Sequence, residues 1–153
     1  MTRVQMIRPS RRYRGLPRAT FRPRGFKVDK ALEQWTLIED TPLPGGELTF
    51  EFVCVTYSGE ECVSGGFLRS RAKEMGGLSG QLAAERFLED VNQIPEQLCP
   101  YHLLFPGTIW RDLSGHECLP VLRHGRRAGW YLGFMWVDRG DYGCGDRIVR
   151  LVA

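Results

Sequence analysis

The first 27 residues contain no aspartate and no glutamate. Within them stand Arg3, Arg8, Arg11, Arg12, Arg14, Arg18, Arg22, Arg24 and Lys27, nine cations without a local counter-charge. All 18 acidic residues come later, beside the remaining 12 of the 21 basic ones. The net charge of +3 therefore divides into an arm of +9 and a body of −6. Arms of this kind seek polyanions, and acidic bodies do not.

Other absences narrow the class. No apolar run approaches the roughly 20 residues of a membrane span. No apolar stretch follows the basic N-terminus, which argues against a secretory signal. Pro9, Pro17 and Pro23, with few serines, argue against the amphipathic helix of a transit peptide. The five cysteines (Cys54, Cys62, Cys99, Cys118, Cys144) include no C-x-x-C pair, and their number is odd. Reduced thiols in a cytoplasmic protein are the expectation. There is no P-loop, no aromatic RNP pattern, no G-x-x-G loop and no zinc-finger spacing. No internal repeat is visible, and no low-complexity segment lies outside the arm.

What is present suffices for one core. Hydrophobic residues make up 42% of the 153, with four tryptophans, five tyrosines and eight phenylalanines. The reading is an arm over residues 1–27 and one domain over residues 28–153. The arm is expected to be extended, because Pro9, Gly15, Pro17, Pro23 and Gly25 interrupt both helix and strand. Ile7, Tyr13, Leu16, Phe21 and Phe26 are spread between its arginines and would serve as anchors in grooves or against bases.

In the body, Trp35 to Asp40 and Glu47 to Tyr57 read as strands. The second places Leu48, Phe50, Phe52 and Cys54 on one face, with Thr49, Glu51, Val53 and Val55 on the other. Glu61 to Ser64 reads as its hairpin partner across Ser58-Gly59-Glu60. Ser79 to Gln93 predicts a helix, with Ser79 as N-cap and Leu82, Ala83, Phe87, Val91 and Ile94 on one stripe. A shorter helix is expected over Phe67 to Met75. Strands are expected at Thr108–Asp112, Glu117–Arg123, Arg127–Val137 and Asp146–Val152, joined by tight turns as an antiparallel meander. The class is α+β, a mainly antiparallel sheet of about five to seven strands packed by one or two helices.

Five groups of residues carry candidate chemistry. Arginines of the arm can fork onto phosphates and stack on bases. Cys99, His102, His116 and Cys118 offer thiolate and imidazole ligands for zinc, in an unusual spacing. The same residues offer a Cys–His nucleophile and base, oriented by Glu117 or Asp112, though no nucleophile loop surrounds them. Gly76 to Gln81 precedes a helix N-terminus, where anions bind, but its residues also make a simple glycine turn. Asp138, Asp141 and Asp146 cluster without calcium-loop spacing and match ordinary turn chemistry. Finally, Trp130, Leu132, Phe134 and Trp136 share one face of a strand, with Tyr131, Gly133, Met135 and Val137 on the other. This predicts a central strand buried on both sides, with a base-stacking platform as the rival.

The expected role is non-enzymatic and without a cofactor. The arm contacts nucleic acid, DNA or RNA, while the body makes protein contacts in a ribonucleoprotein, a virion or a mobile-element complex. A protein-only module whose arm docks on an acidic partner is the alternative. A small zinc enzyme is the second.

Overall fold

A computed structural model describes residues 3–7, 34–45, 48–138 and 141–152. Among them the order is β1 (Arg3–Ile7), β2 (Thr36–Glu39), β3 (Thr49–Cys54), β4 (Cys62–Val63), α1 (Gly65–Met75), α2 (Gln81–Glu89), β5 (His102–Leu104), β6 (Ile109–Arg111), β7 (Glu117–Gly125), β8 (Gly129–Trp136), β9 (Tyr142–Gly143) and β10 (Asp146–Val152). The class is α+β, a sheet curled into a half-barrel with two helices.

Eight strands share one sheet in the order β1-β3-β10-β5-β7-β6-β2, with β8 on the remaining side of β7. Every pairing is antiparallel except β5 with β10. The parallel pair breaks the expected meander. It comes from β5, a three-residue strand too short to show periodicity in sequence. Cys62–Val63 does not return to β3 as a hairpin partner. It pairs with β9 in a separate two-stranded ribbon.

Alternation along the strands builds two cores. Phe50, Phe52, Leu103, Leu122 and Val149 face one cluster, where α2 inserts Leu82, Ala83 and Phe87. Their strand neighbours Leu104, Val121 and Ile148 face a second cluster, where α1 inserts Leu68 and Ala72. Each helix therefore covers one face of the sheet, and β3, β10, β5 and β7 are buried on both sides. Phe87 centres the first core, with ring centroids 5.0 Å from Phe50, 6.1 Å from Phe52 and 6.2 Å from Phe105. Burying such a ring contributes about 1.5–3 kcal/mol. Glu51, at 2% exposure, survives in β3 because Arg150 Nη1 donates to its carboxylate at 2.8 Å.

The close approach of α1 needs glycine. A Cβ on Gly65 would overlap the Val137 carbonyl. The β7–β8 hairpin also needs one, because Gly129 has φ +68. That hairpin is the longest ladder, running from Cys118 opposite Trp136 to Gly125 opposite Gly129. Among the described residues, β8 pairs with β7 alone, so it is an edge strand rather than the expected central one. Leu132 is buried, while Tyr131 and Trp136 are 41% and 38% exposed.

No helix among the described residues is long and apolar enough to cross a membrane.

Candidate nucleic-acid interface

Of the arm cations, Arg3 lies at the start of β1, with Val53 of β3 as its Cα partner. Arg8, Arg11, Arg12, Arg14, Arg18, Arg22, Arg24 and Lys27 lie outside the described residues.

The cysteine–histidine set is not brought together. Pairing of Leu103 with Leu122 sets His102 beside Arg123, five residues along β7 from Cys118, or roughly 16 Å. His102 Nδ1 instead meets Asp146 Oδ1 at 3.1 Å. His116 stacks on Trp136, with centroids 4.5 Å apart, and its Nδ1 lies 3.2 Å from Asp138 Oδ2. Cys118 is buried. Desolvation, with the nearby Asp112 and Asp138 carboxylates, pushes its thiol up to about 12. A thiol held protonated is a poor ligand and a poor nucleophile. Among the described residues, no three His, Cys, Asp or Glu side chains converge as a metal centre requires.

The glycine segment before α2 is a packed turn. Leu151 N–H donates to the Gly77 carbonyl at 2.7 Å, and Arg150 Nε donates to the Gly76 carbonyl at 3.3 Å. Ser79 does not cap α2. Its hydroxyl donates to the Val149 carbonyl at 2.6 Å, and the Gln81 N–H donates to Thr108 Oγ1 at 2.8 Å. Asp138 and Asp146 bind different histidines, so the aspartate cluster is dispersed.

A polarity along the β7–β8 hairpin was not expected. Its open end carries Asp112, Glu117 and Asp138, and Asp112 Oδ1 accepts from the Ser114 and His116 N–H groups at 2.9 Å each. Its closed end carries Arg123, His124, Arg126 and Arg127, about 26 Å away along the strand. Arg126 and Arg127 are exposed in the turn, and Arg123 sits opposite Tyr131. His124 sits opposite Trp130, edge-on at 5.2 Å between ring centroids.

The body's described arginines differ in what they meet. Arg69 reaches Glu39 at 2.8 Å and Glu117 at 3.4 Å; Arg71 reaches Glu60 at 2.6 Å, Arg86 reaches Glu89 at 2.6 Å, and Arg150 reaches Glu51 at 2.8 Å. Arg147 donates to the Cys144 and Asp146 carbonyls and lies over the Tyr101 ring at 3.9 Å. Arg111 of β6 and Arg123, Arg126 and Arg127 of the hairpin hold no carboxylate among the described residues. The Nε of Arg123 is buried without a partner. Three arginines in the five residues 123–127 were a legible signal, hidden because the segment also reads as an ordinary turn.

Family models, curated proteins and solved structures give no match to this chain. The functional reading therefore rests on its own residues.

Proposed function

We propose that this protein is a non-enzymatic nucleic-acid-associated protein, or a subunit of a larger nucleoprotein assembly. A ribonucleoprotein, a virion or a mobile-element complex would each suit it. The observation that carries the reading is the arm: nine cations and no acid across residues 1–27, joined to a body of −6. Arginine predominates over lysine there by eight to one, which suits bidentate phosphate contact and stacking on bases. The body's carboxylates would repel phosphate, so most of its surface is assigned to protein contacts. The same carboxylates favour one rival, a protein-only module whose arm docks on an acidic surface of a partner.

Binding of labelled single- and double-stranded DNA and RNA across a salt series tests the reading. The comparison is the unaltered chain against a variant with Arg8, Arg11, Arg12, Arg14, Arg18, Arg22 and Arg24 changed to glutamine. If six to ten phosphates are contacted, affinity should fall by about 10³ to 10⁵ between 50 and 200 mM salt, and the variant should lose most of that dependence. No binding by the unaltered chain at low salt would overturn the reading and leave the docking rival.

A further inference from the structure

We propose that the closed end of the β7–β8 hairpin is a contact site for single-stranded nucleic acid, separate from the arm. The site rests on the nucleic-acid reading above and gives it a folded surface. Its cations are Arg123, Arg126 and Arg127, and its exposed ring is Tyr131.

Charge carries the first half of the argument. Arg69, Arg71, Arg86 and Arg150 each hold a carboxylate; Arg111 and the three hairpin arginines hold none among the described residues, and only the hairpin three fall within five residues of one another. Guanidinium groups clustered without carboxylates repel one another weakly in water and gain from an anion brought beside them. The carboxylates of the hairpin, Glu117 and Asp138, stand at the end away from Arg126 and Arg127. The body thus presents phosphate with one positive end despite its net charge of −6.

Aromatic geometry carries the second half. Tyr131 is 41% exposed and is the direct cross-strand neighbour of Arg123, so ring and guanidinium occupy one face of the hairpin. Its ring lies beside Gly125, with Cε1 3.6 Å from where a Cβ would stand, an ordinary packing distance. An exposed ring beside phosphate-binding cations suits an unpaired base, which stacks while its phosphates meet the arginines. A duplex keeps its bases stacked internally and gains nothing from Tyr131. The rings of Trp130 and Trp136 are committed to His124 and His116 and are not part of the site.

The unaltered chain and four variants separate the alternatives, read by titration of an unstructured oligonucleotide and of a duplex of equal length. Arg126→Gln with Arg127→Gln changes two exposed turn residues. It should reduce the log–log salt slope for the single strand by about 1.4. Tyr131→Thr keeps strand propensity and removes the ring. It should weaken single-strand binding about tenfold, leaving the duplex and the salt slope unchanged. The arm-neutralised protein should retain weak single-strand binding that disappears when the hairpin changes are added. Thermal melts within a degree or two of the parent establish that the surface variants are folded. If the unaltered chain binds single strands and the hairpin variants match it in affinity and slope, the site is overturned while the arm reading stands. Equal losses for duplex and single strand in Tyr131→Thr overturn the single-strand assignment. No binding by any form overturns both readings.

Discussion

Cys118 shows why residue identity alone misleads. In sequence it is a thiol two residues from a histidine; in the fold its sulfur lies 3.7 Å from the His116 carbonyl oxygen and 3.9 Å from Asp112 Oδ2. Burial and the two nearby carboxylates raise its pKa from 9.0 to about 12, so the folded state favours the protonated thiol. The sign follows: that contribution is fully present below pH 9 and is lost as pH rises through about 12. Tyr142, buried and donating to the Trp136 carbonyl at 2.7 Å, shifts in the same direction. Denaturant midpoints should therefore fall above pH 9, and Cys118→Ala, though less stable at pH 8, should show a shallower fall. An unchanged slope would refute this account of the thiol. Cys54 goes the other way. Its partial burial raises the thiol, but the Thr56 hydroxyl and backbone, with the Arg147 guanidinium, outweigh that and hold it below the ordinary range.

At the scale of elements, the start of α2 depends on a distant residue. Gly80 offers no capping side chain, and Thr108 supplies it by accepting from Gln81 N–H and donating to Asp40 Oδ1 at 2.9 Å. Gln81 Oε1 in turn accepts from Trp110 Nε1 at 2.8 Å, tying α2 to β6. Thr108→Val keeps the shape and removes the hydroxyl, leaving a buried N–H without its acceptor. A loss of about 1–3 kcal/mol is expected, read as a lower urea midpoint with unchanged m-value. A neutral result would mean that the helix start is satisfied by other groups. Leu82, Ala83 and Phe87 of the expected stripe were legible because the helical period marks a buried face, but the helix stops at Glu89 rather than Gln93, and Val91, expected on the stripe, is 41% exposed. The cap was not, because a partner 27 residues away leaves no local pattern. For the same reason β8 was misplaced. Aromatics on both faces signal burial, but partial cover is supplied by ring contacts such as Trp35 against Phe134, with centroids 5.3 Å apart.

For the whole molecule, charge and topology divide the chain in different places. Among the described residues, both core clusters draw on positions from Leu43 onward. Removing residues 1–27 should therefore leave a body that unfolds cooperatively in urea. That deletion also removes β1 and bares the edge of β3, so self-association in ultracentrifugation should increase. Loss of cooperative unfolding would instead make the arm part of the core. The sequence by itself determined the α+β class, the alternation of β3, the buried stripe of α2 and the charge split between arm and body. These are local or additive properties, set by side-chain period and by counting charges. Only the tertiary structure decided that β5 and β10 run parallel and that His102 and Cys118 stand apart. Each of these depends on strand register, and register is settled by which long-range pairing buries the two faces of the sheet together.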